Sequence, residues 1–88
     1  MDQTRITKMR GRLGITHDKK DAEIGEHMDA ALLEMSRNGI KTDDNAMTFM
    51  CMELFVKSMM NYENAADRYE RAFDGMLKTL PLSGDYHV

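Results

Sequence analysis

Apolar residues recur along this chain at helical spacing, and the polar clusters between them mark where each helix should start and stop. Ile6, Met9 and Leu13 fall three and four positions apart, on one side of a short first helix. Gly11 weakens that helix and Gly14 is placed to end it. Ile24, Met28, Ala31, Leu32 and Met35 form the apolar stripe of a second helix, expected to begin near Asp18. The Asp18 carboxylate can accept a backbone N–H there, and Asp21 and Glu23 fall in the positively polarised first turn. Arg37, Asn38 and Gly39 supply a basic last turn and a left-handed stop.

A third helix follows "IKTDDN", with Thr42 as the expected cap and Asp43 and Asp44 in its first turn. Ala46, Met47, Phe49, Met50, Cys51, Leu54, Phe55, Met59 and Met60 cover more than one stripe. A helix apolar on so many sides is expected to be enclosed by neighbours, so this one should be central. Asn64 is the expected cap of a fourth helix, with Asp67 in its first turn and Tyr69, Phe73, Met76, Leu77 and Leu80 facing inward. Pro81 cannot continue that helix, which leaves "LSGDYHV" as a polar tail expected to fold only on docking, with Leu82 and Tyr86 as small apolar anchors. No alternating β-branched run reads as a strand, and no internal repeat is present. The expected fold is all-α: a small bundle of three to four helices with a central apolar helix and an extended C-terminal tail. Residues 1–81 form the helical domain and residues 82–88 the tail.

Length turns this pattern into a problem of burial. A chain of 88 residues hides about 60–65% of the surface its unfolded form exposes. Four helices of that total length barely surround the third. Five of the ten methionines lie between Met47 and Met60, and their unbranched thioether side chains fill irregular gaps and repack at low cost. Most of them are expected in the core. Met50, Met59 and Met60 are the candidates for a surface that a second subunit covers.

Charge is unevenly placed. Residues 1–20 carry six basic and two acidic side chains, a local charge of +4, whereas residues 21–88 carry six basic and thirteen acidic ones, a charge of −7. Arg5, Lys8 and Arg12 on the first helix are therefore candidates to meet the acidic second or fourth helix of another copy. Nucleic-acid binding is the weaker use of that basic end. The net charge is −3, no aromatic is interleaved with the basic residues, and the second helix carries Asp21, Glu23, Glu26, Asp29 and Glu34, which a DNA groove would repel.

No catalytic or cofactor constellation emerges. Glu23 and His27 stand one turn apart, near His17, Asp18 and Asp21, but no second Glu-x-x-His pair completes a metal site. Ser36, Ser58 and Ser83 sit in no nucleophile motif, and no glycine-rich phosphate loop is present. Cys51, alone and mid-helix among apolar neighbours, reads as a small buried hydrophobe in a reducing compartment. The N-terminus has no apolar targeting core and no run is long enough to span a membrane. The residues thus point to no enzyme, no metal and no cofactor.

The order of features does resemble a known family. Leu13-Gly14-Ile15 precedes an acidic amphipathic helix through Ala30-Ala31; Gly39-Ile40 and Asp43-Asp44 precede the apolar helix; "VKSMMNYEN" ends that helix, and "YERAFDGMLKTLPLSGDY" closes the chain. This pattern, over nearly the whole sequence, is similar to the small head-tail connector (adaptor, or DNA packaging) proteins of tailed bacteriophages. The resemblance implies a structural virion protein at the head-tail junction, made in the host cytoplasm. It implies a ring of about a dozen copies below the portal protein, a tail-completion or stopper protein beneath, and DNA passing through the lumen without sequence-specific binding. The portal-docking role of the family's C-terminal segment carries over to Leu82, Ser83, Asp85, Tyr86 and His87. Relatives often carry a longer excursion between the second and third helices than "NGIKTDD" provides. The alternative reading is a small helical regulator that binds DNA or a host protein.

Overall fold

Each apolar stripe becomes a buried seam in the computed structural model, which describes all 88 residues. Four helices form: α1 (Gln3–Arg12), α2 (Asp21–Arg37), α3 (Ala46–Met59) and α4 (Ala66–Thr79), with single 3-10 turns at Tyr62–Asn64 and Leu80–Leu82. The fold is an all-α small bundle. Helix α3 packs against both α2 and α4, while α1 lies on α2. Ile6, Met9 and Leu13 from α1 and its end meet Ile24, Met28, Ala31 and Met35 from α2, and Phe49, Cys51, Met52 and Val56 from α3 complete the core with Phe73 and Leu80.

Helix α3 is central in this packing without being enclosed. The molecule measures 38 × 27 × 17 Å, and with a helix about 10 Å across the short dimension leaves no room to wrap α3 on every side. Its buried residues are Thr48, Phe49, Cys51, Met52 and Val56, whereas Leu54, Phe55 and Met60 are half-buried and Ala46, Met50 and Met59 are exposed. The sequence pattern underrated Thr48, Met52 and Val56, which are buried, and overrated Leu54 and Phe55, which are only half-buried.

Helix starts differ from the expected caps. Helix α2 begins at Asp21 with no side-chain cap, because the Asp18 carbonyl rather than its carboxylate receives the Asp21 N–H. Asn45, not Thr42, caps α3: its Oδ1 accepts from the Thr48 N–H at 2.9 Å, which leaves Asp43 and Asp44 outside the helix. Asn64 does not cap α4, because the position before the first helical residue falls to Ala65, at φ −117°, whose side chain has no acceptor. One free N–H of the first turn is met from outside the helix, by Asn61 Oδ1, which accepts from Ala66 N–H at 3.3 Å. Asn61, Glu63 and Asn64 all have positive φ, so the "NYEN" corner is a sharp, left-handed connection.

The α1–α2 pair is held by close approach and by charge. A Cβ on Gly25 would lie 2.9 Å from Ile6 Cδ1, so any larger residue there would have to displace the end of the Ile6 side chain from between the helices. Beside it, Arg10 makes a two-pronged contact with Asp21, Nε to Oδ1 at 3.0 Å and Nη2 to Oδ2 at 3.1 Å, and Gln3 Nε2 donates to the same carboxylate at 2.8 Å.

The tail, expected to be unfolded, is pinned in place. After the Leu80–Leu82 turn the chain runs back along the α2–α3 connection: the Lys41 N–H donates to the Tyr86 carbonyl at 2.7 Å and the Val88 N–H to the Gly39 carbonyl at 2.8 Å. His87 pairs with Ile40 in an antiparallel bridge, and Gly39, at φ 75°, makes the left-handed turn that leads into it. Backbone hydrogen bonds, which need no apolar signal in the sequence, fix what the polar composition made to look free.

Candidate functional site

The slab leaves two hollows, one at each end of α3. The larger is an apolar groove of about 540 Å³ where α2 and α4 stand on either side of α3. Its apolar surface comes from Leu33 on α2, Phe55 and Met59 on α3, and Phe73 and Leu77 on α4. Phe73 is buried and meets Phe55 edge to face with ring centroids 5.1 Å apart, which holds α3 and α4 together under the groove. Leu33 and Met59, at 54% and 53% exposed, form its open lip. The rim is acidic: Glu34, Glu70 and Asp74 face only Arg37. Glu34 lies 3.8 Å from that guanidinium, and Glu70 and Asp74 make no ion pair.

The smaller hollow, about 240 Å³, lies between α1 and the first half of α3. Lys8, Arg12, Phe49, Met50 and Glu53 form it, with Lys8 Nζ 4.3 Å from the centre of the Phe49 ring. Met50 is 44% exposed. Arg12 reaches Glu53 at 3.5 Å, and Glu53 in turn holds Lys57 at 3.0 Å. Lys57 lies over the Tyr62 ring, 4.6 Å from its centre, so one chain of charge and ring contacts links α1 to the corner before α4.

These contacts account for part of the basic helix. Arg5 is engaged within the chain, 3.3 Å from both Asp2 and Asp44, and Arg12 is paired with Glu53. Lys8 is the member of Arg5, Lys8 and Arg12 that meets no carboxylate. Among the methionine candidates, Met50 and Met59 are exposed on different hollows, while Met60 is half-buried against the core. The groove itself was not legible in the sequence, because it depends on α2 and α4 straddling α3. The exposed Leu33, outside the apolar stripe of α2, was the one local sign of it.

Tail residues divide in the same way. Tyr86 packs against the core and offers its carbonyl to Lys41, and His87 is held by Ile40. Ser83 organises the turn, accepting from Asp85 N–H through Oγ at 3.3 Å and from the Tyr86 and His87 N–H groups through its carbonyl. Leu82, 85% exposed, and Asp85 project outward.

The remaining reactive side chains are spoken for or isolated. Burial of Cys51 pushes its thiol up to about 11, so the nucleophilic thiolate is scarce at neutral pH. His27 Nε2 is buried 3.5 Å from Glu23 Oε1 without a hydrogen bond, and no third ligand-type side chain converges there. No helix is long and apolar enough to cross a membrane. Compared with protein-family models, curated proteins and solved structures, the chain matches none.

Proposed function

We propose that this chain is a structural virion protein, a head-tail connector that assembles as a ring below the portal of a tailed bacteriophage. In that place it joins capsid to tail and helps retain packaged DNA. The observation that carries the reading is the open groove over α3. A monomer leaves Leu33, Met59 and the edge of Phe55 facing water in an apolar hollow of about 540 Å³, a surface that a neighbouring subunit would cover. The order of motifs along the sequence supplies the rest of the argument. The work is docking and passage, without bond chemistry.

For the portal contact, the exposed Leu82 and Asp85 are the groups free to engage, while Tyr86 and His87 hold the tail in position behind them. The test is capture of the protein by the portal encoded in the same phage genome, followed by negative-stain microscopy of the complex. Wild type is expected as a ring on the portal, and Leu82→Asp, which alters a side chain touching little else, is expected to keep its helix content and lose capture. Absence of wild-type capture would overturn the connector reading; undiminished capture of Leu82→Asp would overturn the tail assignment.

A further inference from the structure

Met50 and Met59 are nine residues apart on α3, about two and a half turns of helix, so they project from opposite sides of it and about 13 Å apart along its axis. The two hollows therefore face different ways. Their charges are opposite where they are unpaired: Lys8 beside Met50 meets no carboxylate, and Glu70 and Asp74 beside Met59 meet no cation. Each hollow also offers an exposed thioether that can adapt its shape to the other.

We infer that these are the two halves of one contact between copies of this chain. The Lys8–Met50 corner of one copy docks in the Leu33–Met59 groove of the next, with Lys8 reaching Glu70 or Asp74. Met50 fills apolar space over Phe55 and Met59, and Arg12, exposed beyond its contact with Glu53, approaches Glu34 at the rim. The contact is between unlike faces, so each copy keeps one free donor corner and one free groove, and repetition closes a ring when the rotation per copy allows it. The inference rests on the connector reading for that closure. The exposed C-terminal tail of a second copy fits the groove less well, because Asp85 would face Glu70 and Asp74 across an acidic rim.

Opposite defects distinguish this arrangement. Lys8→Glu spoils the corner and keeps the groove, while Glu70→Lys with Asp74→Lys spoils the groove and keeps the corner. Met59→Asp places a charge on the groove lip at a half-exposed position that the fold tolerates. Helix content of each is checked by circular dichroism, and association by sedimentation velocity between about 0.1 and 1 M salt, over which the Debye length falls from about 10 to about 3 Å. Each variant alone is expected to associate about tenfold more weakly than wild type. Lys8→Glu mixed with Met59→Asp should form one-to-one dimers and nothing larger, through the one intact corner and the one intact groove. Wild-type association in all variants, a mixture that stays monomeric, or a wild type monomeric at every concentration and salt would each overturn the inference. Portal capture of wild type is measured separately, so a failed subunit contact and a failed connector reading give different results.

Discussion

Three methionines on one helix give a controlled comparison. Met52 is 1% exposed within the core, whereas Met50 and Met59 stand 44% and 53% exposed on the two hollows. Replacing each by alanine changes intrinsic helix propensity by the same small amount, so differences report packing. For Met52 the substitution removes buried methylene groups and sulfur and leaves a cavity, a cost of about 2–5 kcal/mol. For Met50 and Met59 it removes half-solvated atoms, at about 1 kcal/mol or less. A domain of this size has a total stability of about 4–13 kcal/mol, so Met52→Ala should lower the midpoint of thermal unfolding by about 10 °C or more. The other two should move it by a few degrees. Urea and thermal unfolding followed by far-UV circular dichroism, at protein concentrations below association, measures all three. Equal losses at the three positions would refute the division of α3 into a core face and two open faces, and so would a Met52→Ala variant as stable as wild type.

Two further outcomes follow from the helix ends. Asn45→Ala removes the Oδ1 acceptor from the Thr48 N–H and should cost about 1 kcal/mol by urea unfolding, while Thr42→Ala, the sequence-based candidate, should cost little. Desolvation raises the Asp21 pKa, but the hydrogen bonds from Gln3 and Arg10 and the charges of Arg10 and His17 outweigh it, so the carboxyl titrates below its ordinary 3.8. A folded-state value below the unfolded one means that Asp21 stabilises the fold above pH 3.8 and that this stabilisation is lost as pH falls through the folded value. Asp21→Asn should therefore be less stable than wild type at neutral pH, with the gap narrowing in acid. A gap constant across that pH range would refute the Arg10–Asp21 clamp.

Periodicity carried the helices, because burying an apolar stripe is a local demand that the sequence must meet every three or four residues. Ile6, Met9 and Leu13, or Ile24, Met28, Ala31 and Met35, are legible for that reason. The caps were not. Each connection holds several residues able to cap, and the choice depends on where the helix actually begins: Asn45, extended and directly before Ala46, caps α3 in place of Thr42, and the corresponding position of α4 falls to Ala65 rather than Asn64. The pinned tail was hidden for a different reason: Gly39–Lys41 and Tyr86–Val88 are far apart in sequence and join by main-chain bonds, for which side-chain identity is nearly silent. Lys8, Met50 and Met59 were legible as residues with surplus charge or surplus apolar surface. Their distribution over opposite sides of α3 was readable only once its neighbours were in place.

The exposure of Met50 and Met59 carries a chemical liability as well. A thioether in water is open to oxidation to the sulfoxide, which is polar and chiral and cannot fill an apolar hollow. Met9, Met28, Met35 and Met52, fully buried, are shielded by the fold itself. Mild peroxide should thus mark the two open faces first and leave the helices intact, and a methionine sulfoxide reductase should reverse the change. An aged sample would then keep the spectrum of a folded protein after its outward-facing sulfurs had been altered.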